Sequence, residues 1–472
     1  MRFPFCGQSY SSQSAFVDHQ RTVNLYPELT ESGAATNRVV LYPTPGFYSF
    51  CNFPTRPVRA LFHNNNRTFA VVGATLYEVW DTKAFVSRGT VLNDGQPATI
   101  STNGEAGGQL WITSGGAGYI YTLATDTLSA ALAYNAHLGG FSDGYFLKLD
   151  TTTSSLYLSA LEDGTSWDAG DVAQRNTTPD KWKSFIVSHR DIWLFGAHKT
   201  DVFYNSGDTF PYVPYPGASI EHGIVAPFSA ATCDNTVFWL GSNDQGDGIV
   251  YRAQGYVPMR VSHHALEYAL HGYTTISDAV AFAYQDQGHS FYVLSFPSAG
   301  KTWVYDAATN LWHERAHYNA ATGEFEIWPA RFHTFAWGKH LVGDGINGAL
   351  YQMSVDRHRD ADGSIIRRMR QAPHIIGQHQ WLFYSRAELL LEVGVGSSEV
   401  RNPQVGLQWS DDSGLTWSTV QYVSAGMAGQ RQARAVWRRL GQSRDRIFRV
   451  VMQDGVPWRI IDLIVDVEPG MH

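Results

Sequence analysis

The stretch SDDSGLTW, residues 410–417, places two carboxylates, a glycine and an indole ring within eight residues. Paired carboxylates are the groups with which many proteins cut glycosidic bonds. Each residue also has a local task in a β-turn, because aspartate accepts backbone N–H bonds, glycine takes a positive φ, and tryptophan packs beneath a hairpin. None of these tasks is catalytic. We therefore interpret the stretch as a structural turn formed by Ser410, Asp412, Gly414, Thr416 and Trp417.

The pattern S-x-D-x-G-x-T-W resembles the Asp box of sialidases and other carbohydrate-active β-propellers. Sialidases combine the box with an F/Y-R-I-P element, three arginines and a Tyr/Glu nucleophile pair, and the F/Y-R-I-P element is absent from this sequence. Two positioned carboxylates cannot be picked out either. A glycosidase and a glycan-binding propeller remain as alternative functions. Looser versions of the box occur at Asp163, Gly164 and Trp167, at Ser242, Asp244 and Gly246, and at Gly300, Thr302 and Trp303.

A second set of candidate ligands is His263, Glu267 and His271, within a stretch at 261–273 whose spacing predicts a short helix. On a helix these side chains share one face and could hold a metal ion. The motif H-E-x-x-H is not matched and no fourth ligand is evident, so we favour an amphipathic helix with a polar edge. No G-x-S-x-G, Walker A or strand-to-helix G-x-G-x-x-G element is found. The sequence predicts no catalytic residue, metal, cofactor or enzyme activity.

Arginine is concentrated in two places near the C-terminus. Seven arginines and no lysine lie between residues 431 and 449, opposed only by Asp445, and a second cluster lies at 357–370. Guanidinium groups suit bidentate pairing at interfaces or with phosphates. A solvated strand face, a subunit interface and direct DNA contact all stay open, although no sequence-reading DNA-binding motif is present. The candidate subunit-interface residues are Arg438, Arg439, Arg444, Arg446, Arg449, Arg367, Arg368 and Arg370.

Composition indicates an ordered, turn-rich chain. The 472 residues are 14% aromatic and 17% charged and include 44 glycines, which favours an all-β fold of two or three units. The formal net charge of −8 gives the chain as a whole no preference for a polyanion. Three cysteines far apart predict buried, reduced thiols. The N-terminus lacks the pattern of a signal peptide, and no apolar run is long enough to predict a membrane span.

Much of the remaining sequence predicts β-hairpins at a regular spacing. Residues 1–54 lack periodicity and predict an extended arm that gains order by lying on something else. From residue 55 to 355, strand–turn–strand units recur every 40 to 50 residues, which predicts a β-propeller of six or seven blades. Alternating strands in residues 356–472 predict a separate β-sandwich-like domain. The hairpin segments are 67–80, 109–123, 191–204, 236–253, 280–296, 301–315 and 340–353.

Five segments, spread in order over nearly the whole chain, together resemble one protein family. They are VNLYPE (23–28), VVLYPTPGF (39–47), RVSHHALEYAL (260–270), TWVYDAATNLWHER (302–315) and VWRRLGQSRDRIFRVVM (436–452). The family is that of the tail accessory proteins of short-tailed bacteriophages, also called packaged-DNA-stabilisation or tail nozzle proteins. None of the five segments is a catalytic motif.

This resemblance implies a structural protein of the virion tail, assembled in the cytoplasm of the bacterial host. It implies a six-fold ring of β-propeller subunits below the portal and adaptor rings, which retains packaged double-stranded DNA and passes it during ejection without reading its sequence. A needle or plug and spikes or fibres would attach there. A ring needs a large head-to-tail surface, which the arm and the arginine clusters could supply. The net negative charge of the chain suits a channel that DNA crosses without binding to its wall.

Overall fold

The computed structural model describes residues 3–32, 38–175, 179–244, 246–377 and 380–470. Within these ranges the chain is built almost entirely of β-strands, with two short helices, Gly104–Gly107 and His264–His271. The strands form a β-propeller followed by a β-sandwich, so the predicted fold class is confirmed. The domain limits predicted at residues 54 and 355 stay predictions.

Seven sheets, each based on four antiparallel strands, succeed one another in the described part of the propeller. Their innermost strands lie next to one another in a ring, and the seventh packs against the first. Blade 1 is Val58–Asn64, Arg67–Val72, Thr75–Val79 and Phe85–Thr90; blade 2 is Thr99–Thr102, Gln109–Ser114, Ala117–Thr122, Thr127–Leu128 and Ala133–Tyr134; blade 3 is Leu138–Ser142, Tyr145–Asp150, Ser155–Ala160 and Asp163–Gln174.

The remaining blades complete the ring. Blade 4 is Ser184–Ser188, Asp191–Phe195, Thr200–Asn205 and Tyr212–Ile220; blade 5 is Gly223–Ile224, Ala231–Cys233, Thr236–Asn243, Gly246–Gln254 and Val257–Arg260; blade 6 is Val280–Asp286, His289–Phe296, Lys301–Asp306 and Leu311–Glu314; blade 7 is Ala330–Ala336, Lys339–Asp344, Ala349–Ser354 and Gly46–Asn52. A small hairpin, Ala316–Asn319 with Glu324–Ile327, lies between blades 6 and 7 in the sequence.

Central strands of the blades are apolar because both of their faces are covered by neighbouring blades. All eight residues of His289–Phe296 in blade 6 are buried. Between blades 5 and 6, the rings of Phe238 and Tyr292 stack with centroids 5.3 Å apart. Burial of such rings between blades gives each blade a core that it could not form alone.

Ring closure depends on a strand from far away in the sequence. The outer strand of blade 7 is Gly46–Asn52, which pairs with Ala349–Ser354 in antiparallel register. Phe47 lies opposite Met353 and stacks on Trp328 at 5.4 Å. The N-terminal part of the chain therefore closes the last blade, which leaves the ring fewer free strand edges.

The sandwich consists of two sheets that both contain N-terminal strands. The first sheet continues blade 6 outward through parallel pairing of Val23 with Glu314. Its strands are His19–Val23, Arg368–Gln371, Asp445–Met452, Gln404–Ser410 and Gln421–Ser424, with Tyr10–Ser11 and Ile375–Ile376 on its margins. The second sheet contains Leu25–Leu29, Val39–Pro43, Ile460–Pro469, Leu382–Leu391 and Ala435–Arg438, with Gln442–Ser443 beside Leu382–Leu391.

Residues of the predicted arm thus lie as strands in both sandwich sheets and in blade 7. Leu25 and Leu41 are fully buried in the sandwich core beside Leu407, Phe448 and Trp458. The arm gains its order by pairing with the rest of the chain, and it joins the two domains. Residues 1–2 and 33–37 of the predicted arm lie outside the described ranges.

Candidate functional site

The Asp-box hairpin is a closed network of hydrogen bonds around Asp412. Its Oδ1 accepts from the Thr416 N–H at 2.9 Å and from Ser410 Oγ at 2.6 Å, and its Oδ2 accepts from Thr416 Oγ1 at 2.5 Å. Gly414 has a φ of 93°, and its carbonyl accepts from Trp417 Nε1 at 3.1 Å. Hydrogen bonds from Ser410 and Thr416 lower the pKa of Asp412 to about 2. Both oxygens of the Asp412 carboxylate therefore accept hydrogen bonds within the turn.

The other carboxylate of the box, Asp411, is bound by Arg446. The guanidinium donates from Nε at 2.6 Å and from Nη2 at 2.8 Å to the two oxygens of Asp411, and from Nη1 to the Leu440 carbonyl at 2.5 Å. Arg446 is fully buried, with the rings of Tyr384 and Trp409 at 4.4 and 5.3 Å. The pair fixes the hairpin to the sandwich, so neither carboxylate is held as a general acid or base would be.

One looser version of the box, in blade 3, forms hydrogen bonds similar to those of the Asp-box hairpin. Asp163 Oδ1 accepts from the Thr165 N–H at 3.0 Å, and Trp167 Nε1 donates to the Gly164 carbonyl at 2.8 Å. In both hairpins the indole donates to a carbonyl three residues earlier. The other two looser matches differ: Trp303 donates to Tyr273 Oη at 3.0 Å, and Asp244 lies 3.4 Å from His198.

Arg370 forms hydrogen bonds with several residues of the N-terminal segment. The guanidinium is fully buried and donates to the carbonyls of Phe5 at 2.6 Å and Gln8 at 3.1 Å. It also donates to Thr22 Oγ1 at 2.9 Å and Gln20 Oε1 at 2.6 Å. These acceptors are neutral, and burial lowers the pKa of Arg370 to about 10.

Arg368 is also fully buried and is poorly paired. It donates to the Thr44 carbonyl at 3.3 Å, and its Nε and Nη1 have no hydrogen-bond partner in the described ranges. Burial lowers the pKa of Arg368 to about 9. Arg368, Arg370 and Arg446 were predicted to lie at a subunit interface. Their burial inside a single chain leaves them no surface to offer another subunit, so for these three we correct the prediction.

The other five predicted arginines lie nearer the surface. Arg449 stands over the ring of Trp417 at 3.4 Å and donates to Gln371 Oε1, and burial lowers its pKa to about 9. Arg367 stands over Tyr318 at 4.3 Å. The three exposed members, which stay candidates for a subunit contact, are Arg438, Arg439 and Arg444.

Two ionic contacts join the N-terminal strands to blade 6. Arg21 donates to both carboxylate oxygens of Glu314, at 3.1 and 2.6 Å. His289 donates from Nδ1 to Asp306 at 2.7 Å and from Nε2 to Glu28 at 2.6 Å. The hydrogen bond to Asp306, followed by the bond to Glu28, raises the pKa of His289. The imidazole of His289 therefore bridges a propeller carboxylate and a carboxylate of the sandwich.

Asn24 forms the corner at which the arm passes from one sandwich sheet to the other. It has a φ of 57°, a left-handed conformation that asparagine tolerates better than most residues. Its Nδ2 donates to the carbonyls of Ala316 and Arg367, each at 2.8 Å, and its Oδ1 accepts from the Ala316 N–H at 2.9 Å. Asn24 therefore ties the arm to the segment after blade 6 and to the sandwich. Sequence analysis missed this role, although Asn24 lies within the quoted segment VNLYPE.

A buried aromatic cage surrounds Arg315 next to this junction. The guanidinium lies over Trp328 at 5.0 Å and over Tyr284 and Phe291 at 5.2 Å, and it donates to the Tyr284 hydroxyl. Its Nε and Nη1 have no hydrogen-bond partner among the residues described. Cation–π attraction from three rings offsets part of the cost of burying this charge.

The predicted helix is present and serves a structural purpose. His263 caps it, since its Nδ1 accepts from the Leu266 N–H at 3.0 Å, and its Nε2 is 3.1 Å from the Ser9 carbonyl. Burial lowers the pKa of His263 to about 4. Glu267 is paired with Arg260 at 2.5 Å. Within the described ranges, no group of three His, Cys, Asp or Glu side chains is arranged to hold a metal ion.

Two further properties bear on the class of protein. Cys51 and Cys233 are buried free thiols, and burial raises the pKa of each to about 12. Cys6 is partly exposed, and its thiol donates to the Ile461 carbonyl at 3.5 Å. A helix with the length and apolarity of a membrane span does not occur in the part of the chain that the structure describes.

Solved structures with some likeness to the chain are distant. A streptogramin B lyase has a TM-score of 0.42 and 7% identity, covering 66% of this chain and 98% of its own. The N-terminal domain of Nup159 has a TM-score of 0.39 and 10% identity, covering 71% and 98%. An exo-beta-1,3-galactanase from Phanerochaete chrysosporium has a TM-score of 0.30 and 8% identity, covering 90% and 100%. Scores this low support no inference.

Family comparison is specific over nearly the whole chain. The family model described as Bacteriophage P22 Gp10, beta-propeller, matches residues 1–358, and the one described as Bacteriophage P22 Gp10, beta-sandwich, matches residues 367–468. No curated protein sequence matches the chain significantly. The first matched region contains the propeller and the N-terminal strands, and the second contains most of the remaining sandwich strands. The chain therefore belongs to the bacteriophage P22 Gp10 family, the structural tail nozzle or DNA-stabilisation proteins of short-tailed phages.

Proposed function

We propose that this protein is the subunit of a ring-shaped, six-fold tail nozzle that retains packaged double-stranded DNA and conducts it during ejection. The observation that carries the proposal is the match of both domains, in order, to the P22 Gp10 family. The proposed place of the ring is the distal end of the virion tail, below the adaptor and portal rings, after assembly in the host cytoplasm. A needle or plug and spike or fibre proteins are its proposed further partners.

The junction supports this proposal because a conduit under load needs domains that do not hinge. The first sandwich sheet is hydrogen-bonded to blade 6, and the pairs Arg21–Glu314 and Glu28–His289–Asp306 cross the same boundary. The N-terminal segment then continues into blade 7. Separating propeller from sandwich would break strand pairing and ionic contacts at once, so the two domains act as one stiff unit.

Charge supports the proposed passage of DNA without sequence recognition. The chain carries a net charge of −8, and its most enclosed arginines donate to groups of the chain itself. A strongly basic lumen would bind duplex DNA through its phosphates and slow ejection. We place the exposed residues Arg438, Arg439 and Arg444 at contacts between subunits. Charge reversal of Arg438 and Arg439 to glutamate should then impair ring assembly.

Imaging of assembled tails tests the proposal directly. A six-fold ring with an axial channel, formed by this chain below the adaptor, is the expected result. Particles that lack the protein should package DNA and then lose it. Tails that contain the chain as isolated monomers, or particles that keep their DNA without it, would contradict the proposed function.

Two alternatives stay distinguishable by experiment. A receptor- or glycan-binding propeller should give hits on an array of bacterial surface glycans. A tail-associated glycosidase should release sugar from surface polysaccharide, although both carboxylates of the Asp box are bound within the hairpin and sandwich. Absence of binding and of sugar release, together with ring formation, would leave the nozzle as the function.

A further inference from the structure

The innermost strands of the propeller begin at one end of its central axis. Leu138 begins the innermost strand of blade 3, Lys183 directly precedes that of blade 4, and Ala279 directly precedes that of blade 6. A parallel bridge between Phe228 and Val280 shows that blades 5 and 6 run in the same direction there. These strand beginnings surround a cavity, together with the turns that follow the second strands of blades 2, 3 and 7. The cavity therefore lies at one mouth of the ring of blades.

The cavity has two chambers that share Gln96, Pro97 and Asp278. The larger chamber has a volume of about 420 Å³ and lies against blades 2 to 6, and the smaller has about 210 Å³ and lies against blades 1, 6 and 7. The larger chamber alone falls in the range of roughly 300–1,000 Å³ that is usual for small-molecule sites. The cavity can therefore hold a small ligand that reaches into both chambers.

Arg331 lines the smaller chamber with a guanidinium that lacks an acceptor. Its Nε is buried and has no hydrogen-bond partner in the described part of the chain, and it forms no ion pair there. The side chain is held against the backbone of blade 7 at Gly345, because a Cβ added there would overlap Cδ of Arg331. Burial lowers the pKa of Arg331, while the charges of Asp344 and Asp278 act against that shift. A carboxylate suits such a group, since it can accept two hydrogen bonds from a guanidinium.

Asp278 borders both chambers, and one of its two carboxylate oxygens lacks a donor. Oδ2 accepts from the Ser298 N–H at 2.7 Å, whereas Oδ1 is buried and has no hydrogen-bond partner among the residues that the structure describes. An ionised carboxylate can accept several hydrogen bonds, and a buried oxygen without a donor costs free energy. Asp278 therefore favours a cationic group in the cavity.

The other charged groups at the cavity are paired or exposed. Arg59 is fully buried and donates to Asp94 at 2.9 Å. Lys183 is exposed to solvent, and His137 accepts from the Thr151 N–H at 3.3 Å. The smaller chamber is thus bordered by two charges of opposite sign, one on blade 7 and one before blade 6, and each carries a buried polar atom without a partner.

Apolar residues form much of the wall of the larger chamber. Leu138 and Ala279 are buried, and Phe228 is partly buried. The apolar residues of this lining are Pro97, Leu138, Val225, Pro227, Phe228 and Ala279. An apolar wall with a few fixed polar groups is the usual form of a small-molecule site, in which the wall supplies affinity and the polar groups orient the ligand.

We propose that this cavity binds a free α-amino acid with a large apolar side chain. The carboxylate of the ligand accepts from Arg331, its ammonium donates to Asp278, and its side chain occupies the larger chamber. A simple cation would leave Arg331 without an acceptor, and a simple anion would lie beside the charge of Asp278. A zwitterion gives each of the two groups a partner of opposite charge. The site lies within one subunit, so it does not depend on the proposed nozzle function.

Calorimetric titration of the full chain with a matched series of ligands tests the site. L-Phenylalanine should bind saturably, with one site per chain. N-Acetyl-L-phenylalanine lacks the ammonium charge, L-phenylalanine amide lacks the carboxylate and glycine lacks the side chain, so each should bind at least about tenfold more weakly. The absence of saturable binding of phenylalanine, or equal binding of the two blocked forms, would overturn the proposal.

Two variants assign the two charges separately. Asp278→Asn should weaken the binding of phenylalanine at least about tenfold and leave that of the N-acetyl form unchanged, whereas Arg331→Gln should weaken it equally and leave that of the amide unchanged. Lys183→Gln, at an exposed residue of the larger chamber, is the control and should bind phenylalanine as the native chain does. Loss of binding in Lys183→Gln with normal binding in Arg331→Gln would overturn the assignment. The ligand series uses the native chain, so it decides the proposal even where a variant does not fold.

Discussion

The propeller and the junction are held together in opposite ways. In blades 1 to 6, the strands that pair are close together in the sequence, and aromatic rings such as Phe238 and Tyr292 pack between neighbouring blades. At the junction, Arg370 bonds to acceptors more than 340 residues away, and Arg21 reaches Glu314. The contacts between blades are mainly apolar. The junction depends on a few buried polar groups whose partners have no substitute.

This contrast predicts where the molecule opens first. Desolvated guanidinium groups with neutral acceptors, such as Arg370, tolerate no loss of a partner, because every orphaned acceptor keeps its own burial cost. In blade 1, the buried Arg59 also donates to the Gly73 and Leu92 carbonyls, but it differs from Arg370 because a carboxylate, Asp94, pairs with its charge. We expect the N-terminal segment and sandwich to separate from the ring before the blades unfold, and the following changes test that order.

The largest effect is expected for Arg370→Ala. The variant leaves the Phe5 and Gln8 carbonyls and the side chains of Thr22 and Gln20 without their donor, and we expect a loss of about 3–5 kcal/mol in the free energy of unfolding, since each buried orphan costs about 1–3 kcal/mol. Denaturant unfolding measures the loss, and limited proteolysis should show cleavage near the N-terminus first.

A propeller arginine supplies the matched control. Arg190 pairs with Asp143 at 2.7 Å but is 78% exposed, so Arg190→Ala should leave the free energy of unfolding almost unchanged. Equal losses for the two variants would mean that the junction is no more dependent on buried polar groups than the blades are.

Asn24→Ala should have the next largest effect. Alanine at a φ of 57° is strained by roughly 1–2 kcal/mol, and the Ala316 and Arg367 carbonyls lose a donor. We expect a total loss of about 2–4 kcal/mol. Asn24→Gly relieves the strain without restoring the hydrogen bonds, so it should recover only part of the loss. Full recovery by glycine would show that backbone conformation, not the side-chain bonds, fixes the corner.

The junction should also loosen as the pH rises. The pKa of His289 is raised in the folded chain, so the stabilisation by its two carboxylate partners is complete below the ordinary pKa of 6.5 and is lost as the pH rises through the folded-state value. Hydrogen exchange of Leu25–Leu29 should therefore accelerate with pH more in the native chain than in His289→Gln, after correction for intrinsic exchange. Identical pH dependence in the two proteins would exclude a charged bridge.

Low pH acts on a different set of histidines. His263 and His333 are buried, and burial lowers their pKa values to about 4 and 3. The unfolded chain binds protons more readily at these sites, so their contribution to stability falls as the pH drops below 6.5. His333 lies in blade 7, 3.0 Å from His340, so acid should weaken this blade. The contribution of His289 changes in the opposite direction with pH, whereas that of Glu314, whose pKa is lowered by Arg21, also falls in acid.

The sequence predicts the local hairpins of the propeller better than the long-range contacts of the junction. Alternation of apolar residues locates hairpins such as Arg67–Val72 with Thr75–Val79, because their partners are adjacent. It does not assign hairpins to blades: the predicted segments 280–296 and 301–315 belong together in blade 6, while blade 3 corresponds to none of the predicted segments. Strand Gly46–Asn52 pairs across some 300 residues, and no local pattern names such a partner.

Charge patterns proved a weaker guide than apolar periodicity. The clusters at 357–370 and 431–449 are visible in the sequence, yet Arg446 and Arg370 are buried and Arg438 is exposed. Burial of an arginine depends on acceptors such as the Phe5 and Gln8 carbonyls, which every sequence provides and which only the fold brings near. The same reasoning explains why the Asp box, whose bonds are local, could be interpreted from its residues alone.

The smallest effect is expected for the two Asp turns, which give the closest comparison between sandwich and propeller. Asp412 and Asp163 each bind a threonine N–H and hydroxyl in a hairpin that ends in tryptophan. Asp412→Ala and Asp163→Ala should each lower the melting temperature only slightly at neutral pH, because water replaces the lost bonds at an exposed turn. The advantage of the native chain over Asp412→Ala should shrink as the pH falls from the ordinary carboxyl pKa of 3.8 toward about 2. A large loss confined to Asp412→Ala would mean that this turn supports the sandwich core, and that the sandwich depends on its hairpins more than the propeller does.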